Sequence, residues 1–63
     1  MTMNTDSSII NELVGTYRTF GPDGPLYEVQ KKVDEKTVHI LVVESGEELD
    51  YDVAEALNDP EAE

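Results

Sequence analysis

The chain has 63 residues, no cysteine and a formal net charge of −11, from 15 Asp and Glu against 4 Lys and Arg. This length holds one small domain, which buries only about 60% of the surface its unfolded chain exposes. The composition excludes a disulfide framework, a thiolate metal site and a cysteine nucleophile, and the charge opposes unaided binding to phosphate backbones.

Residues 1–6 read as a flexible N-terminus, 7–58 as a single small domain and 59–63 as an acidic tail. From Ser7 the pattern is helical, with Ile9, Ile10, Leu13 and Val14 on one stripe, Asp6 placed to cap the start and Gly15 to stop it. A helix this short needs a surface to pack on. Thr16 to Phe20 is β-branched and aromatic, which predicts a strand, and Gly21-Pro22-Asp23-Gly24-Pro25 breaks it into a loop.

Leu26 to Val33 alternates, with Tyr27, Val29 and Val33 on one side and Glu28, Gln30 and Lys32 on the other, as in a half-buried strand. Asp34-Glu35-Lys36 is a polar hairpin connection. Val38 to Val43 is apolar nearly throughout, which predicts a central strand covered on both faces. Ser45-Gly46 suggests a two-residue turn into a last strand, where Leu49, Tyr51 and Val53 alternate with Glu48, Asp50 and Asp52. Asp52 with Glu55 resembles a capping pair for a short helix that ends near Asn58, and Pro60 prevents its continuation.

These elements predict a mainly β fold: a small, curled, antiparallel four-stranded sheet, closed as an SH3-like barrel, with short helical turns near both ends. The competing arrangement is an open sheet with the N-terminal helix packed across one face. No basic stretch precedes an apolar run at the start, so no secretory leader is expected. The apolar run Ile40 to Val43 falls far short of the roughly 20 residues a bilayer needs. The expectation is therefore a soluble, cytoplasmic protein.

Charge is distributed unevenly. Glu44, Glu47, Glu48, Asp50, Asp52, Glu55, Asp59, Glu61 and Glu63 fall in a stretch without Lys or Arg. On a strand, Glu48, Asp50 and Asp52 form a row about 14 Å long. Such a row suits the Lys and Arg of a basic partner, and equally serves as a solvated edge that deters aggregation. A saline cytosol is a third source of acidity. The row lacks the glycine and distal Glu of a calcium loop, so no metal is expected. His39, alone in an apolar strand, reads as a structural residue.

No nucleophile elbow, phosphate-cradling loop or enclosed carboxylate pair is present, so neither an enzyme nor a cofactor is expected. The partner-binding candidates are Glu47, Glu48, Asp50, Tyr51 and Asp52. Tyr17, Arg18, Lys31 and Lys32 are the candidates for the alternative, a nucleic-acid-binding or regulatory barrel. A chain this small without staples also makes self-association an expectation.

Three stretches, Gly24-Pro25-Leu26-Tyr27-Glu28-Val29, Glu44-Ser45-Gly46-Glu47-Glu48-Leu49-Asp50-Tyr51 and Asp59-Pro60-Glu61-Ala62, resemble a family of short, largely uncharacterised bacterial proteins. The size and strand-rich design are also similar to the small antitoxins encoded beside virulence-associated protein D, a ribonuclease toxin. That resemblance implies an inhibitor whose acidic side occupies a basic RNA groove, with apolar terminal segments as anchors. It carries no site residue by itself.

Overall fold

The computed structural model describes residues 5–62. The N-terminal helix α1 (Thr5–Leu13) starts before Asp6, so Asp6 lies within it and not at its cap. Of the stretch expected to be a flexible N-terminus, residues 5 and 6 are helical and residues 1–4 lie outside the described residues. Gly15 ends the turn with a φ of 92°, a left-handed conformation that glycine adopts without steric cost.

Three strands follow as a meander: β1 (Tyr17–Thr19), β2 (Leu26–Asp34) and β3 (Thr37–Val42). Strand β4 (Glu48–Asp52) leads directly into helix α2 (Val53–Asn58), and β5 (Glu61–Ala62) ends the fold. The Asp52 carboxylate accepts the Ala54 N–H at 3.0 Å, the cap its position predicted.

The sheet has five antiparallel strands in the order β4-β3-β2-β1-β5 and is not closed. Two sequence expectations change here. The stretch 59–63 is not simply a tail, because Glu61–Ala62 pairs with β1 and the Thr19 N–H donates to the Pro60 carbonyl. The barrel gives way to an open sheet because α2 carries the chain from the β4 edge to the β1 edge. Once there, β5 extends the sheet beside β1 and, among the described residues, the outer edge of β4 stays without a neighbour.

Cover for the core comes from helices instead of closure. Ile10 and Leu13 of α1 and Val53 and Ala56 of α2 pack with Tyr27, Val29, Val38 and Ile40 on one sheet face. Burying an aliphatic or aromatic side chain of this kind contributes about 1.5–3 kcal/mol. Among the described residues strand β3 is accordingly covered on one face: Val38, Ile40 and Val42 are buried, whereas Thr37, His39 and Leu41 are half-buried on the open side.

The alternation expected along β2 fails after Val29. Register shifts between Val29 and Lys31 and between Lys32 and Asp34 reorient the strand, and Val33 ends up 46% exposed. The turn between β3 and β4 is wider than two residues. Val42 N–H donates to Glu47 O and Gly46 N–H to Val42 O, with Gly46 at a φ of 77°. The β2–β3 connection is tight, closed by Lys36 N–H donating to the Asp34 carboxylate at 2.8 Å. That bond, chiefly, holds the Asp34 carboxyl below its ordinary range.

Candidate functional site

Cross-strand register sorts the side chains onto two faces. One row runs across all five strands as Ala62, Tyr17, Glu28, Leu41 and Glu48. Beside it lie Lys31, His39 and Asp50, and then Asp34, Thr37 and Asp52. The core side chains of β2 and β3 fall in the other rows, so this first set belongs to the face opposite the helices. The acidic candidates Glu48, Asp50 and Asp52 therefore share the open face, on the edge strand, and all three are exposed. Glu47 adjoins them in the preceding turn.

His39 organises this row. Its Nε2 lies 2.8 Å from Glu48 Oε1 and its Nδ1 lies 3.1 Å from Asp50 Oδ1. Carboxylates only accept, so satisfying both contacts requires a proton on each ring nitrogen. These two hydrogen bonds, with Glu48 first, raise the His39 pKa. The expectation of an apolar setting for His39 is thus corrected: it is an acid-paired residue on a half-wet face.

The sign of the pH effect follows directly. A raised folded-state pKa gives stability that is fully present below the ordinary value of 6.5 and is lost as pH rises through the raised value. The melting temperature of the native chain relative to His39→Gln should show its greatest advantage on the acid side and lose it toward alkaline pH. A difference that grows toward alkaline pH would show that the pair is not formed in solution.

Tyr51 does not join the acidic row. Its ring packs edge-on against Phe20 (5.3 Å between centroids) and Tyr27 (5.4 Å) on the helix-covered side. Its hydroxyl donates to Asp59 Oδ2 at 3.0 Å, and Tyr27 donates to the same oxygen at 2.8 Å. Gly21 N–H reaches Asp59 Oδ1 at 3.3 Å. Burial, and then the hydrogen bond to Asp59, pushes the Tyr51 phenol up to about 12 and raises Tyr27 as well. The three stretches that carry the family resemblance thus meet at Asp59, through Tyr27, Tyr51 and Asp59 itself. Their joint role in the structure is to hold the C-terminal segment to the sheet.

The nucleic-acid candidates divide between the faces. Tyr17 and Lys31 lie on the open face, with Tyr17 43% exposed and opposite Glu28. Arg18 lies on the helix side, where its guanidinium donates to the carbonyls of Ala56 (3.2 Å) and Asp59 (3.0 Å) and so closes the C-terminal end of α2. Lys32 pairs in register with Val38, on the helix side of the sheet. Sequence reasoning missed Arg18 as a helix cap, because the two residues it holds are 38 and 41 positions away.

The exposed apolar residues of the terminal helices, Ile9 and Leu57, line a groove of about 380 Å³ with Glu12, Leu13, Thr16, Arg18 and Glu61. Ile9, Leu13 and Leu57 belong to the helix layer, and Arg18 and Glu61 pair in register on the helix side. The groove therefore lies across the sheet from the acidic row. Tyr17 is the exposed aromatic residue that shares a face with that row. Among the described residues no group of His, Asp and Glu is arranged to hold a metal ion, and no helix is long and apolar enough to cross a membrane.

A family model of unknown function, DUF5397, matches residues 2–63. The chain belongs to DUF5397. No curated protein matches it. Membership of DUF5397 accounts for the resemblance to an uncharacterised family and lends nothing to the similarity with antitoxins, which stands only as a proposal.

Proposed function

We propose that this member of DUF5397 is a small acidic protein-binding module, an antitoxin-type inhibitor that occludes a basic, ribonuclease-like partner. The observation that carries this reading is the exposed row Glu48, Asp50 and Asp52 on the uncovered face of an edge strand, flanked by Glu47. A net charge of −11 on so small a body attracts a cationic surface at long range, and the fixed strand spacing presents the carboxylates in line. Tyr17, on the same face, replaces Tyr51 as the aromatic anchor. The contacts of Glu48 and Asp50 with His39 hold these side chains in place, with 57% and 60% of each still exposed. The alternative, a nucleic-acid-binding barrel, has less support because Arg18 is engaged with α2 and Lys31 and Lys32 fall on different faces.

The reading is tested on any small basic, ribonuclease-like protein that a neighbouring gene is found to encode; absence of such a gene would count against it. Stoichiometric addition of the protein is expected to suppress RNA cleavage, with suppression weakening as salt rises. Reversing Glu48 and Asp50 together to Lys should slow association by roughly 10- to 100-fold, because charge mainly sets the encounter rate. An association rate untouched by this double reversal and by salt would exclude the acidic face as the contact surface.

A further inference from the structure

We infer that the basic partner docks by strand addition: an extended segment with Lys or Arg at every second position pairs along the open edge of β4. This deepens the inhibitor reading and rests on it. Strand β4 ends the sheet, pairing with β3 alone among the described residues. The phase of its ladder is fixed by Val42 N–H donating to Glu47 O and Val53 N–H donating to Lys36 O. In an antiparallel pair, hydrogen-bonded and non-hydrogen-bonded residues alternate. The phase therefore turns the N–H and C=O groups of Leu49 and Tyr51 toward β3. Those of Glu48 and Asp50 point out of the sheet, on residues that are exposed.

The same two residues supply both halves of a recognition code. Their backbone groups offer a template for an incoming strand, and their carboxylates face the uncovered side of the sheet. A strand paired there places alternate side chains on that side, beside Glu48, Asp50 and Asp52 at a matching spacing. Lysine or arginine at those alternate positions neutralises the row. The positions between them fall on the helix side of the edge, next to Leu49, which is 37% exposed and in register with Ile40. An apolar residue there meets Leu49. A second copy of this chain is a poor occupant, because pairing two β4 edges sets Glu48, Asp50 and Asp52 against their own kind.

Two short capped peptides of equal charge distinguish strand addition from general attraction. One alternates lysine with valine; the other has the same sequence with every backbone amide N-methylated, so that neither of its edges can donate to a neighbouring strand. At low salt the first should slow amide hydrogen exchange at Glu48 and Asp50 by about tenfold or more, as new hydrogen bonds protect those N–H groups. The N-methylated peptide should leave these rates unchanged. Equal binding by both peptides, without protection at the edge, would overturn strand addition and leave the basic-partner reading intact. Binding by neither would remove both readings. Protection that instead depends on protein concentration, with a dimer in sedimentation, would assign the edge to self-association and overturn the proposal.

Discussion

Replacing Asp59 with Ala is expected to cost about 3–5 kcal/mol, comparable to the whole stability of the domain. The Asp59 carboxylate accepts from Tyr27, Tyr51 and Gly21, and Tyr27 is fully buried. A hydrogen bond to a charged group contributes about 1.5–3 kcal/mol, and an orphaned buried hydroxyl adds its own desolvation penalty. A domain of this size has roughly 3–9 kcal/mol in total at ordinary values per residue. The backbone roles of Asp59 survive the change: its N–H still bonds the α2 carbonyls, and its C=O still accepts from Arg18. The loss therefore belongs to the carboxylate. Urea unfolding measures it, and Tyr27→Phe supplies the control. In the Asp59→Ala background, removing the Tyr27 hydroxyl should cost almost nothing, whereas alone it should cost at least about 1 kcal/mol. Additive losses would mean that the two groups do not interact.

The second large effect is expected at Gly24. A methyl group there would overlap the Phe20 carbonyl and crowd the rest of that residue, and these are mostly backbone atoms that cannot swing aside. The loop is held by Phe20 N–H donating to Pro25 O, and it sets the Phe20 ring 4.5 Å from that of Tyr27. Gly24→Ala must open this loop and pull Phe20 from the aromatic cluster, a loss of about 3 kcal/mol or more. Gly46 gives the contrast. Its φ of 77° strains any other residue, but nothing lies within 4 Å of an added Cβ, so Gly46→Ala should cost only about 1–2 kcal/mol. Equal melting temperatures for the two variants would contradict the close approach at Gly24.

Local signals are legible where one residue decides its own neighbourhood. Gly15 ends α1 and Asp52 caps α2, because each acts through φ or through a bond two residues away. The positions of the meander strands follow from runs of β-branched and aromatic residues and from the glycine and proline breaks. The alternation of Glu48, Asp50 and Asp52 with Leu49 and Tyr51 is enough by itself to put the acidic row on one face, since successive strand residues point to opposite sides.

Tertiary packing decided the rest. Asp59, Glu61 and Ala62 are polar or small and flank a proline, so nothing local marks them as core scaffold. They become so only when α2 returns the chain to β1 and sets Asp59 over Tyr27 and Tyr51. The contacts of Arg18 and His39 lie beyond local signals for a similar reason. Their partners come from other elements, and the same cation that suits a phosphate also suits a helix carbonyl or a pair of carboxylates. Composition, alternation and turn chemistry are local, and they suffice for a small, acidic, strand-rich domain with its negative charge concentrated after Val43. Packing between distant elements settles that the sheet stays open and that, among the described residues, its acidic edge has no neighbour. That outcome depends on which edge β5 joins, and no residue near β5 encodes it alone.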